Sequence, residues 1–95
     1  MTLATVDIGT LIEKSPDIRG GRPRIAGTGI TVRRVAGWSN MGFSPEEIAA
    51  KYDHISLAQV HAALAYYYSN RAEIDQDIAD EEALERSMTK PHQRS

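Results

Sequence analysis

The chain has 95 residues, with 41% apolar and 25% charged side chains, a formal net charge of −2 and no cysteine. This length corresponds to one small domain, and the absence of cysteine excludes disulfides and thiolate chemistry. No apolar run approaches the length of a membrane-spanning helix, and residues 1–15 lack the pattern of a signal peptide. We therefore expect a cytoplasmic protein without a membrane partner.

The charges are distributed unevenly along the chain. Five arginines and no acidic residue lie between Arg19 and Arg34, whereas seven acidic residues and no basic one lie between Glu73 and Glu85. Such a division indicates either two faces that bind different partners or an ordinary solvated surface.

The N-terminal third of the chain predicts a small β element. The mixture of apolar and polar residues over 5–13 is typical of a short strand, and prolines and glycines mark the loop that follows. The arms Arg24–Ala26 and Ile30–Val32 flank a Gly-Thr-Gly turn and predict a β-hairpin. Because these glycines lack the spacing of a phosphate-binding loop, we interpret the stretch as a tight turn.

Three helices are predicted to follow the β element. Their N-caps are Thr31, Ser44 and Ser56, and a glutamate or glutamine completes a capping box after each of the two serines. Gly42 stands where a glycine commonly follows a helix C-terminus. No glycine or proline interrupts the third helix, which is therefore predicted to run to about Ser87.

The second and third helices, with the short turn between them, form a helix-turn-helix pattern. In that motif the first residues of the second helix reach base edges in DNA, which here assigns Gln59 and His61. Phosphate contacts require cations, and the candidates are Arg22, Arg24, Arg33, Arg34 and Lys51. The alternative is a three-helix core that makes protein contacts only, since a fold alone does not settle function.

Three consecutive tyrosines, Tyr66 to Tyr68, lie on the third helix. Successive helical side chains point about 100° apart, so the three cannot all face one core. Tyr67 continues the inner apolar stripe. Tyr66 and Tyr68 are predicted either to form a dimer interface or to be partly buried within the chain.

Patterns of catalytic or metal-binding residues are weak in this sequence. His54, His61 and His92 lack the spacing of a metal site, and no nucleophile with an adjacent base can be singled out. The many carboxylates lie on a helix that is predicted to be exposed and without a pocket. We therefore expect no enzymatic activity, no metal and no cofactor.

The stretches GRPRIAGTGITV and GFSPEEIAAKYDHISLAQVHAALAYYYSNRAEID together resemble the small bacterial family called domain of unknown function 433 (DUF433). The resemblance covers about residues 21–75 and implies a tri-helical, helix-turn-helix (homeodomain-like) fold with a short N-terminal β element. It also implies an antitoxin of a type II toxin–antitoxin pair, whose partner is a PIN-like ribonuclease toxin. One position departs from the family, which usually has an arginine where this chain has Gly29.

The acidic C-terminal segment fits the function that this resemblance implies. We divide the chain into a domain of residues 1–72 and an acidic helical extension and tail of residues 73–95. A thin apolar stripe on an acidic helix suits the basic RNA channel of a ribonuclease. The predicted toxin-binding residues are Arg71, Ile74, Asp75, Ile78, Glu81 and Glu82. A frayed terminus is the alternative interpretation.

The sequence thus predicts a mainly α protein with a short N-terminal β-hairpin, a three-helix helix-turn-helix (homeodomain-like) bundle and a long C-terminal helix. The predicted function is that of a homodimeric antitoxin that neutralises its toxin and represses its own operon by binding operator DNA. The alternatives are a DNA-binding transcriptional regulator without a toxin partner, and a protein-interaction module.

Overall fold

A computed structural model describes residues 7–89 of the chain. It contains two short strands, β1 (Ile12–Glu13) and β2 (Arg24–Ile25), and four α-helices. The helices are α1 (Val32–Asn40), α2 (Pro45–Ala50), α3 (Leu57–Ser69) and α4 (Arg71–Thr89). This architecture confirms the predicted fold class: a short antiparallel β element near the N-terminus precedes several helices, the last of which is long.

The β element forms between partners that differ from the predicted ones. β1 pairs with β2 in antiparallel register, with Ile12 opposite Ile25. Of the predicted strand over 5–13, only Ile12–Glu13 is a strand in the described residues, and positions 5 and 6 lie outside them. The predicted arm Ile30–Val32 makes a single bridge, from Thr31 to Arg24. It does not continue as a strand because Val32 begins α1.

The predicted helix caps are all present. The Thr31 side chain accepts a hydrogen bond from a backbone N–H in the first turn of α1. Ser44 and Ser56 each form the complete reciprocal capping box at the start of α2 and α3. Gly42 has a φ of 100° just after α1, a left-handed conformation that glycine adopts without steric cost. These local signals therefore fix where the first three helices begin.

The single long third helix predicted to reach Ser87 is instead broken at Asn70. This residue leaves the helical conformation, with φ −138° and ψ 46°, and ends α3. Its side-chain amide donates to the Tyr66 carbonyl at 3.0 Å, so a local hydrogen bond replaces part of the helical ladder. The break redirects α4 towards α1.

The core lies where α1 contacts α2, α3 and α4. Its largest fully buried side chains include Ile25, Ile48, Tyr67 and Ile74. The predicted boundary after residue 72 therefore falls inside α4, two residues before a core side chain. Among residues 7–89, no helix is both long enough and apolar enough to cross a membrane.

Candidate functional site

The basic and acidic stretches of the chain meet on one surface. Arg22 Nε lies 3.2 Å from Asp77 Oδ1 on α4. Glu81, one turn further along α4, places its two carboxylate oxygens 3.4 Å from Arg33 Nε and 3.8 Å from Arg34 Nη2. Three of the arginines predicted to contact DNA are therefore paired with carboxylates of α4, and Glu81 was itself predicted to contact a toxin.

Beside these ion pairs is a cavity of about 390 Å³, which we call the arginine cavity. Three arginines contribute to its wall, and none of the residues that line it carries a carboxylate. The lining residues are Arg19, Gly29, Ile30, Thr31, Arg33, Arg34 and Tyr52. Arg34 keeps 56% of its side chain exposed, so its pairing with Glu81 leaves much of the guanidinium open to solvent.

Arg19 belongs to this cavity although the sequence did not single it out. Its φ is 52°, in the left-handed region that residues other than glycine rarely adopt. The side chain crosses to the loop of residues 26–31, where Nε donates to the Gly29 carbonyl at 3.1 Å. A Cβ at position 29 would lie only 3.0 Å from Arg19 Nη2, so the glycine makes room for the guanidinium.

Arg24 serves the fold and does not face the solvent. Its side chain is 5% exposed, and Nη1 lies 2.8 Å from Glu13 Oε2. The same guanidinium donates to the Thr28 carbonyl at 2.8 Å and to Ser15 Oγ at 3.0 Å. Because these bonds join β1, β2 and the loop, the predicted DNA contact by Arg24 does not fit the structure.

The predicted base-reading residues lie at the start of α3. His61 is exposed, whereas the Gln59 side chain is engaged by the Ser56 N–H, which donates to Oε1 at 2.6 Å. α3 contains no lysine or arginine. The nearby Lys51 is held over the Trp38 ring, 4.2 Å from its centroid. The surface of α3 therefore lacks the cations that phosphate contacts require.

The three tyrosines have different surroundings. Tyr67 is buried, as predicted, and its hydroxyl donates to Asp75 Oδ1 at 2.9 Å. Tyr68 is 60% exposed. Tyr66 is half-buried and borders an apolar hollow of about 540 Å³, which Ile8, Ile12, Ala62 and Ala65 also line. The structure thus assigns Tyr67 to the core and leaves Tyr68 and the hollow available to a partner.

A small polar network ties Tyr66 to α4. The Tyr66 hydroxyl donates to Glu73 Oε1 at 2.9 Å, and Lys14 Nζ lies 3.1 Å from Glu73 Oε2. Burial, together with this bond to a carboxylate, raises the pKa of the Tyr66 phenol. The Glu73 carboxylate, with a further contribution from Tyr66, raises the pKa of Lys14. Both shifts favour the protonated forms in the folded chain.

The predicted toxin-binding residues separate into two groups along α4. Ile74 is fully buried and Ile78 packs against the core, so neither side chain is open to a partner. Arg71 and Asp75 face each other at 3.9 Å in the first turns, and Glu82 is exposed. Further along, Leu84 and Met88 are 59% and 69% exposed. The apolar stripe of α4 therefore continues beyond the core, where Leu84 and Met88 are exposed to solvent.

Nothing in the described residues 7–89 gathers three or more histidine, aspartate or glutamate side chains in a position to hold a metal ion. Several acidic side chains of α4 pair instead with arginines, with tyrosines or with Lys14.

Comparison with known proteins supports the fold. The sequence matches the family described as "Protein of unknown function (DUF433)" over residues 12–67. The chain belongs to the DUF433 family. It is similar to the crystal structure of a DUF433 member protein from Anabaena variabilis ATCC 29413, with 31% sequence identity and a TM-score of 0.70. That similarity covers 74% of this chain and 69% of the other.

No curated protein matches the sequence. The part of this DUF433 protein that matches the family runs from β1 to Tyr67 on α3, and therefore includes the Arg19–Gly29 contact. It ends before α4. The carboxylates that pair with the arginines thus lie outside the matched region.

Proposed function

We propose that this DUF433 protein is a non-enzymatic, cytoplasmic antitoxin that binds a PIN-like ribonuclease through the distal part of α4, residues 82–88. The observation that carries the proposal is the exposure of Leu84 and Met88 on a helix rich in carboxylates. The two side chains are four residues apart and therefore share one helix face. An apolar pair flanked by acidic residues fits a groove with a basic rim.

A ribonuclease offers a partner of that chemistry. Its RNA-binding channel must be basic because the RNA backbone is anionic. Glu82 would engage the channel rim, while Leu84 and Met88 enter an apolar groove, as in other complexes of a helix in a groove. Ile74 and Ile78 support this mode from within, because they anchor the base of the same helix to the core.

The test is co-purification of the full chain with the product of the adjacent gene, which the proposal expects to be a small nuclease. Affinity and inhibition of the nuclease activity are then measured. The double variant Leu84→Glu, Met88→Glu is expected to weaken binding by at least about tenfold, since buried apolar anchors dominate such interfaces. Leu57→Glu is the control, because Leu57 is also an exposed apolar residue but lies at the start of α3, outside the segment under test.

Wild-type protein that neither binds nor inhibits the nuclease would refute the antitoxin proposal. Equal binding by the double variant and the wild type would refute the role of residues 82–88. Repression of its own operator remains a second proposal. It is favoured by the exposed His61 at the start of α3, but the phosphate contacts must come from elsewhere because α3 lacks cations.

A further inference from the structure

We propose that the arginine cavity binds a phosphate group. This proposal concerns a surface other than residues 82–88 and does not depend on the antitoxin proposal. The first argument is charge, since Arg19, Arg33 and Arg34 all contribute to a cavity whose lining residues include no acid. Guanidinium groups bind phosphate oxygens through paired, charge-assisted hydrogen bonds.

The second argument is the way Arg19 is held. A left-handed backbone is unfavourable for a residue with a side chain, and such outliers persist where the surroundings over-determine them. Here the surroundings are two following glycines with φ of 66° and 79° and the bond from Arg19 Nε to the Gly29 carbonyl. That bond uses the Nε–H of the guanidinium, and the hydrogens on the two terminal nitrogens are further donors that could bind an anion.

The third argument is the position of Glu81. Its carboxylate lies against Arg33 and Arg34 from the α4 side, where it contributes the negative charge that a phosphate would also provide. The carboxylate is only about a quarter exposed. An anion in the arginine cavity therefore competes with Glu81 for the same two guanidinium groups, and removal of the Glu81 charge strengthens anion binding.

The phosphate has two possible sources, a nucleic-acid backbone or a small phosphorylated molecule. The probes are pyrophosphate, measured by calorimetry, and a short duplex DNA of random sequence, measured by fluorescence anisotropy over a series of salt concentrations. Binding of DNA without pyrophosphate assigns the site to a backbone, and binding of pyrophosphate without DNA assigns it to a small molecule. Binding of neither probe by the wild type overturns the proposal.

The variants separate this site from non-specific attraction. Arg19→Ala and Arg34→Ala are each expected to weaken binding about tenfold, as for loss of one charge-assisted hydrogen bond. Arg71→Ala is the matched control, because it also removes one positive charge but Arg71 does not line the cavity. For DNA, each cavity variant also lowers the slope of log affinity against log salt by about 0.9. If all three variants lose affinity equally, binding depends only on the net charge of the protein, and the proposal is overturned.

Two further variants test the geometry itself. Glu81→Gln is expected to tighten binding about threefold, as for removal of one partly exposed ion pair. Gly29→Ala places a methyl group against the Arg19 guanidinium and is expected to weaken binding without unfolding the chain, because only a flexible side-chain end must move. Gly37→Ala is its control, since a Cβ there meets nothing within 4 Å. Unchanged affinity in both test variants contradicts the assigned positions of Arg19 and Glu81.

Discussion

Replacement of Ile74 by alanine should destabilise the whole domain, although the residue lies on a helix that the sequence presents as an acidic extension. Ile74 is 0% exposed and belongs to the core cluster. The change removes three carbon atoms, worth about 0.8 kcal/mol each in transfer free energy. The cavity left behind raises the loss to about 3–4 kcal/mol. A chain of this length has a total stability of roughly 5–14 kcal/mol.

The free energy of unfolding is measured by urea denaturation followed by circular dichroism, with Leu84→Ala as the matched control. Leu84 is 59% exposed on the same helix, so its truncation should change stability by less than about 0.5 kcal/mol. The melting temperature of Ile74→Ala should fall by more than about 12 °C, at roughly 4–8 °C per kcal/mol for a domain of this size. If the two variants have equal stability, α4 is not packed as described, and the pairing of Glu81 with the arginines fails with it.

Two other predictions concern α3 and its partners. The pKa values of Lys14 and Tyr66 are raised in the folded chain above their ordinary values of 10.5 and 10.0. The stability that these two groups contribute is therefore complete below about pH 10 and is lost as the pH rises further. Between pH 9 and 11 (about the titration range of both groups), the melting temperature of Tyr66→Phe should therefore fall less steeply with pH than that of the wild type. An identical fall would exclude the raised phenol pKa. If Tyr68 and the apolar hollow form a dimer interface, sedimentation should show a dimeric wild type and a monomeric Tyr68→Glu, with Met41→Glu as the exposed control; a monomeric wild type would contradict the dimer.

The parts of the fold that the sequence predicts correctly are those governed by local hydrogen bonds. A capping box is complete within four residues, so Ser44 and Ser56 mark the starts of α2 and α3 whatever the rest of the chain does. Gly42 marks the end of α1 for the same reason. The pairing of β1 with β2 joins residues 12 and 25, and no short-range pattern encodes that separation.

The break at Asn70 has a local signal in the sequence. Asparagine is among the residues favoured at a helix N-cap, and Glu73 follows three positions later, as in a capping box. The Asn70 carbonyl accepts the Ile74 N–H at 3.2 Å, as a residue at the start of a helix does. The absence of glycine and proline was therefore an insufficient argument for a continuous helix, since asparagine can end one helix and begin the next.

The candidate site was less predictable because charge patterns do not show which groups face each other. The arginine-rich and acid-rich stretches predict either two faces for different partners or an ordinary solvated surface. In the structure, Arg22, Arg33 and Arg34 instead pair with Asp77 and Glu81 of the same chain. This pairing became possible only when the break after α3 directed α4 onto α1.

The same pairing links the two proposed surfaces physically. The Glu81 carboxylate, which pairs with Arg33 and Arg34 of the arginine cavity, lies one residue before the proposed partner-binding segment 82–88 on the same helix. A partner that rotates or lifts this end of α4 would withdraw Glu81 from Arg33 and Arg34 and thereby strengthen phosphate binding. Because coupling between two binding sites is reciprocal, phosphate bound in the cavity would then raise the affinity of α4 for its partner by the same factor. Glu81→Gln removes the shared group, so it should abolish this coupling while both ligands still bind.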